Sequence, residues 1–138
     1  MLAKACPFTH RGVVHVGGDD RRVFLQGLLS NDLALCMPNQ PIYAALLTPQ
    51  GKFLHDMFVH DLGDAFLLDC EAARSDDLVQ RLMAYKLRAK IACAKTDDYD
   101  VWGVWGEDAV AGNAVIAVPD PRHVDFGLRV IMPKGAQP

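Results

Sequence analysis

Asp56 is the residue of this chain best placed for chemistry, because it lies in the otherwise apolar stretch FLHDMFV, residues 53–59. An unpaired charge in such a setting costs several kcal/mol or is neutralised. Asp56 therefore requires a partner, a ligand or an open cleft. Aimed into a pocket, it could accept a hydrogen bond from a ligand nitrogen or take part in proton transfer. The alternative is a structural Asp56, paired with an arginine or with backbone N–H groups.

Three further residues could contribute to a ligand site. Asn31 and Asp32 follow a helical run. They could form a polar rim for a ligand, or could only stop the helix and begin a turn. Arg88 belongs to the cluster YKLRAK, residues 85–90, which contains three cations. This cluster could bind an anion such as a ligand's carboxylate, or could only be the solvated end of a helix.

The histidines and cysteines do not predict a metal site. His55 and His60 are separated by an odd number of positions, so on a regular strand they point to opposite faces. The four cysteines lie far apart in the chain, at Cys6, Cys36, Cys70 and Cys93. Without a Cys-x-x-Cys pair, they are expected to be reduced and mostly buried.

The composition predicts a globular protein. The chain has 138 residues, of which 51% are hydrophobic and 22% charged, and its formal net charge is −3. No basic stripe suggests nucleic acid as a partner, and no apolar run approaches the roughly 18 residues that a membrane helix needs. Because the first residues, MLAKACPF, are too short and too soon polar for a secretory signal, we expect a cytoplasmic protein.

The elements that must position these residues follow from periodicity and turn signals. Strands are predicted at 11–16, 42–48, 53–61, 65–70, 91–94, 100–105 and 126–132. Helices are predicted at about 20–29 and from Ser75, with Lys86, Arg88 and Lys90 near the end of the second helix. This order indicates an α+β fold, with an antiparallel sheet and two main helices.

The domain organisation predicted from this order has two parts. Residues 1–118 are expected to form one α+β domain. Residues 119–138 are expected to be a strand and a loose tail, at the start of a region missing from this chain. Because an exposed sheet edge favours self-association, we also expect a homodimer.

Several segments together resemble one known family. They are FLQGLLSND at 24–32, ALLTPQGK at 45–52, Asp56, and YKLR at 85–88, and DPR at 120–122 also falls in a similar place. In order and spacing they look like the N-terminal part of the YgfZ family, which is related to the glycine-cleavage T-protein, an aminomethyltransferase. The resemblance covers roughly residues 8–132.

The resemblance implies the fold of the folate-binding domain of aminomethyltransferase, with tetrahydrofolate as the cofactor. In those enzymes an acid on the matching hairpin contacts the folate, which implies Asp56 as the catalytic and cofactor-binding residue. Asn31, Asp32 and Arg88 are further folate-binding candidates. His55 stands where the aminomethyltransferases have a first Asp. The chain stops before the family's KGCYxGQE stretch, so no catalytic cysteine is carried over.

The predicted function is a folate-binding protein of the YgfZ type. It would support the maintenance of iron–sulfur proteins or tRNA modification, with a folate-type small molecule and iron–sulfur proteins as partners. Two alternatives stay open. One is a catalytic aminomethyl or one-carbon transferase, and the other is a structural or interaction fragment whose cleft is incomplete and binds nothing.

Overall fold

The computed structural model describes residues 4–106 and 113–138, and within them it contains two antiparallel sheets and two α-helices. The strands are β1 Lys4–Pro7, β2 Arg11–Gly17, β3 Ile42–Leu47, β4 Phe53–Asp61, β5 Ala65–Glu71, β6 Ala92–Thr96, β7 Tyr99–Trp105, β8 Ile116–Pro119 and β9 Leu128–Pro133. The helices are α1 Arg21–Gln26 and α2 Ser75–Ala84. The α+β class with antiparallel sheet is therefore confirmed.

The larger sheet has five strands in the order β3-β4-β5-β2-β6, and the smaller has four in the order β1-β7-β9-β8. The predicted hairpin and third strand form consecutive neighbours of the larger sheet. The hairpin turn is closed by Gly51, whose φ of 84° suits a residue without Cβ. In this hairpin Ala45 lies opposite Asp56 and Tyr43 opposite Phe58, which places Tyr43 diagonally next to Asp56.

The larger sheet is buried on both faces, which explains why strand β5 is buried from Ala65 to Cys70. One face packs with the helices, through a core that includes Met57, Val59, Leu78 and Leu82. The other face packs against the smaller sheet, through the core residues Val13, Leu67, Val101 and Ile131. Alternation along β4 then turns Asp56 and Phe58 towards the smaller sheet.

The structure corrects the ends of the predicted helices. Helix α1 is limited to Arg21–Gln26, and helix α2 ends at Ala84. The cluster that contains Arg88 therefore lies in the loop after α2 rather than in its last turn. The α2 helix tightens when Tyr85 N donates to Leu82 O, and the chain then leaves the helical path at Leu87, whose φ is 47°.

Two strands were missed from the sequence, the edge strands β1 and β8. Each has only four residues, too few to show a clear alternation.

Within the described residues no helix is long and apolar enough to cross a membrane. The homodimer stays a prediction.

His60 is buried between the sheets, and neither of its ring nitrogens has a hydrogen-bond partner among the described residues. Burial lowers the pKa of His60 from 6.5 to about 4; the nearby Asp69 opposes this shift, and Arg129 adds to it. Because the folded-state pKa lies below the unfolded one, protons favour the unfolded chain. Stability is therefore lost as the pH falls from about 6.5 towards about 4.

We expect His60→Met to remove this acid sensitivity. Each pH unit within the window costs the wild type up to about 1.4 kcal/mol from this group, whereas Met has no proton to gain. Urea unfolding between pH 7 and pH 4.5 measures the difference. His123→Asn is the control, because His123 is an exposed histidine. An unchanged pH slope in His60→Met would contradict the assignment.

Candidate functional site

Asp56 lies half-buried on β4 and accepts a short hydrogen bond from the hydroxyl group of Tyr43 on β3. Burial and this bond to Asp56 both raise the pKa of Tyr43 above its usual 10. The hydroxyl group therefore stays protonated and donates to the carboxylate near neutral pH. The partner that an acid in an apolar strand requires is thus a tyrosine, which leaves the second carboxylate oxygen available to a ligand.

Asp56 borders a cavity of about 240 Å³ between the two sheets. The cavity is lined by Phe8, His10, Arg11, Tyr43, Asp56, Phe58, Arg122 and Arg129. A wider groove of about 500 Å³, to which Asn31 contributes, adjoins it. Tyr43 and Arg122 line both spaces and therefore form the boundary between them.

A buried ion cluster holds two of the cavity arginines. Asp69 on β5 is fully buried and lies opposite Phe58 in the larger sheet. Its carboxylate accepts from Arg11 Nε at 2.8 Å and from Arg129 Nε at 2.7 Å. Because Arg129 belongs to β9, this cluster joins the two sheets directly behind the cavity.

The third cavity arginine, Arg122, comes from the segment between β8 and β9. Its Nη2 donates to Asp120 Oδ2 at 2.7 Å, and its Nε donates to Oδ1 at 3.0 Å. This fork-on-carboxylate geometry fixes the plane of the guanidinium group. The hydrogen bonds that Arg122 donates to Asp120 raise the pKa of Arg122. Arg122 is thus a permanently charged wall of the cavity.

Phe58 forms the aromatic floor of the site. Arg129 lies over its ring at 4.1 Å and Arg122 at 4.9 Å, measured from the guanidinium carbon to the ring centroid. The Tyr43 ring is 5.1 Å from it, centroid to centroid. Planar cations and aromatic rings around one carboxylate suit a planar ligand that carries N–H donors.

The other predicted site residues are spread over the surface. Asn31 lines the adjoining groove, where its Nδ2 donates to Tyr43 O at 3.0 Å. Asp32 is exposed and its Oδ1 accepts from Ala34 N at 2.9 Å, as a turn cap does. Arg88 is exposed and lines neither the Asp56 cavity nor the adjoining groove. Of the four candidates, the structure brings Asp56 and Asn31 together through Tyr43.

His55 and the cysteines take no part in this site. His55 faces α2, where its Nε2 is 2.6 Å from Asp77 Oδ2. Cys36, Cys70 and Cys93 are buried and unpaired, as expected, whereas Cys6 is exposed. Burial raises the pKa of Cys36 to about 11 and that of Cys70 to about 12, so these thiols are not reactive thiolates at neutral pH. Among the described residues, no group of three or more His, Cys, Asp or Glu side chains could hold a metal ion.

Sequence reasoning missed the ion cluster, although a signal for it existed. Asp69 lies in the apolar run AFLLDC, and Arg129 lies in the apolar run LRVIM. Each is a charge in a buried strand, which is the criterion that singled out Asp56. An acid and a base that satisfy this criterion on different strands predict a buried pair.

No protein-family model matches the chain. The chain is 34% identical to the mitochondrial iron–sulfur cluster assembly factor IBA57 homolog of Neurospora crassa, over 96% of this chain and 35% of that protein. It is 32% identical to the Mycosarcoma maydis homolog, over 94% and 36%, and 29% identical to the human protein, over 88% and 40%. The chain thus spans little more than a third of the length of these relatives.

A solved structure shows the same fold. The glycine cleavage system aminomethyltransferase T from Bartonella henselae matches 95% of this chain and 42% of its own chain, with a TM-score of 0.77 and 18% identity. The resemblance to YgfZ-type and aminomethyltransferase proteins drawn from the sequence is therefore confirmed. The cytoplasmic location expected from the sequence is wrong, since the relatives named above are described as mitochondrial.

Proposed function

We propose that this chain, a relative of the IBA57 iron–sulfur cluster assembly factors, is a tetrahydrofolate-binding module that supports the maintenance of iron–sulfur proteins. Three lines of support converge. The relatives are named as iron–sulfur cluster assembly factors, the fold is that of an aminomethyltransferase, and Asp56 borders a cavity of suitable chemistry. Iron–sulfur proteins are the partners that this proposal implies.

The observation that carries the folate proposal is the Asp56–Tyr43 pair at the mouth of an aromatic and arginine-lined cavity. A reduced pterin contains a planar pyrimidine ring and carries N–H groups. Asp56 would accept a hydrogen bond from the N–H at N5 or N10, while the ring lies against the Tyr43 side chain and the guanidinium group of Arg122. Tyr43 would keep the carboxylate oriented, because its hydroxyl donates to the oxygen that the ligand leaves free.

His55 supports a binding role over one-carbon transfer. The family resemblance drawn from the sequence implies that it stands in the position of the first Asp of the aminomethyltransferase hairpin. Here the imidazole is 4% exposed, points at helix α2 and is tied to Asp77. This side chain therefore connects a strand to a helix and has no access to the Asp56 cavity, so Asp56 is the one acid of the hairpin that faces the proposed ligand.

Calorimetric titration with 5,6,7,8-tetrahydrofolate under anaerobic conditions tests the proposal. We expect the wild type to bind, and Asp56→Asn to bind more weakly by about 1–3 kcal/mol, because a charged hydrogen bond is replaced by a neutral contact. Asp64→Asn is the matched control, since Asp64 is an exposed turn acid. Equal affinity in the wild type and Asp56→Asn, or no binding to the wild type, would contradict the proposal.

The wild type and Asp56→Asn also distinguish binding from catalysis. If the chain transferred a one-carbon group, Asp56→Asn would abolish turnover of an aminomethyl substrate in the presence of tetrahydrofolate. A binding module gives no turnover in either protein, and only the affinity differs. Measuring both quantities on one preparation distinguishes a transferase from a binding protein.

A further inference from the structure

The three arginines of the cavity are bound in one common way. Arg11, Arg122 and Arg129 each donate from Nε to a buried aspartate, at 2.8, 3.0 and 2.7 Å. Their Nη2 atoms are also directed at those aspartates, to the Asp69 main-chain oxygen in the case of Arg11. In none of the three does Nη1 have a hydrogen-bond partner among the described residues.

These Nη1 atoms are nevertheless not sealed from solvent. Among the described residues that are not themselves exposed, only His60 and Trp102 have buried side-chain nitrogens without a partner. The Nη1 atoms of Arg11 and Arg129 therefore reach solvent, although these side chains are only 12% and 8% exposed, and the Arg122 side chain is 40% exposed. Arg11 and Arg129 also border neighbouring cavities, and the Asp56 cavity is the one that all three arginines share with Asp56.

The charges around the cavity balance, with three guanidinium groups and three carboxylates. Two of the carboxylates, Asp69 and Asp120, bind the guanidinium groups. The third, Asp56, is held by the Tyr43 hydroxyl and lies close enough to Arg122 to contribute to the rise of the Arg122 pKa. The cavity thus offers an acceptor together with charged donors that have no partner, which suits a ligand with an N–H group near a negatively charged oxygen.

We propose that Arg11, Arg122 and Arg129 form an oxyanion subsite beside Asp56, which takes a carboxylate or phosphate group of the ligand. The guanidinium planes are already fixed by the aspartates and by stacking on Phe58. Little side-chain freedom is therefore lost on binding. This inference goes beyond the folate proposal, because it concerns any ligand that presents such a group.

Arg122 is the member of the subsite that can be replaced most safely. Arg11 and Arg129 neutralise the fully buried Asp69, whereas the Arg122 side chain is 40% exposed. Arg122→Gln removes the positive charge and the paired N–H donors of the guanidinium group. Arg88→Gln is the matched control, because Arg88 is an exposed arginine outside the cavity.

Titration calorimetry with inorganic phosphate, and separately with acetate, tests the subsite at an ionic strength held constant with chloride. We expect the wild type to bind at least one of the two probes in the millimolar range. Arg122→Gln should weaken that binding at least about tenfold, the effect of one charged hydrogen bond, and Arg88→Gln should leave it unchanged. The preferred probe identifies the ligand group as a phosphate or a carboxylate.

Asp120→Asn provides a result that a merely structural Arg122 would not give. It removes the negative charge next to Arg122, while the amide oxygen still accepts a hydrogen bond from the guanidinium group and keeps it in place, so we expect tighter binding of the probe. No binding of either probe by the wild type, equal binding in Arg122→Gln, or equal loss in Arg88→Gln would overturn the subsite. Because the probes contain no pterin, such a failure is distinguishable from a failure of the tetrahydrofolate titration.

Discussion

Asp69→Ala should lower the free energy of unfolding by about 3–5 kcal/mol, the usual cost of breaking a buried ion pair by removing one partner. The wild-type carboxylate is fully buried and is shared by Arg11 and Arg129. Without it, two guanidinium groups are left together between the sheets, with neither a counter-charge nor full hydration. Since small domains are stable by only about 5–15 kcal/mol, this loss is a large share of the total free energy of unfolding.

Urea unfolding followed by circular dichroism measures this effect. Asp64→Ala is the control, because it removes an exposed acid from the turn before the same strand and should change stability by less than about 0.5 kcal/mol. Equal midpoints for the two variants would mean that Asp69 does not hold the sheets together. The fraction of the Asp69→Ala variant that stays folded should also bind tetrahydrofolate poorly, because Arg11 and Arg129 would lose their fixed orientation in the cavity.

Phe58→Ala should cost about 3–5 kcal/mol, as large-to-small changes of buried aromatic residues do. The ring is 2% exposed and has Arg11, Arg122 and Arg129 over it within 5.8 Å. Its removal leaves a void and also ends the cation–π contacts, each worth about 0.5–2 kcal/mol. The loss should therefore lie at the upper end of this range.

Phe53→Ala is the matched control for this prediction, because Phe53 begins the same strand and is 60% exposed. It should change stability by less than about 0.5 kcal/mol. Phe58→Leu separates the two contributions to this loss of stability, since leucine keeps most of the buried apolar volume but has no aromatic face for the cation–π contacts. Thermal unfolding of the three variants separates burial from cation–π stabilisation, and a cost for Phe53→Ala as large as for Phe58→Ala would contradict the assignment.

Much of the fold could be predicted from local signals. The hairpin of β3 and β4 is marked by its Pro-Gln-Gly-Lys turn, and α2 by its apolar period and first-turn acids. What local signals lack is the pairing between distant strands. The division into two sheets depends on pairings such as β1 with β7, which join residues about a hundred positions apart and leave no trace in a short sequence window.

The candidate site was predictable only in part, for the same reason. Asp56 could be found because an acid in an apolar strand is visible within seven residues. Arg122 and Arg129 reach the cavity only when the smaller sheet packs on the larger one, so their proximity to Asp56 is a tertiary fact. Arg88 shows the opposite case. The cations that cluster around it in the sequence lie in a loop, and Arg88 does not line the Asp56 cavity.

The placement of Arg129 on β9 has a consequence for how the protein is made. Asp69 and Arg129 are 60 residues apart, so during synthesis the acid emerges from the ribosome long before its second arginine. Until β9 pairs with β7, the larger sheet has an uncovered apolar face and, at its centre, a carboxylate that lacks one of its two arginine partners. The chain is then most prone to aggregate. Because the cavity has no second wall before that moment, a ligand can stabilise the two sheets once they are packed together but cannot assist the nascent chain.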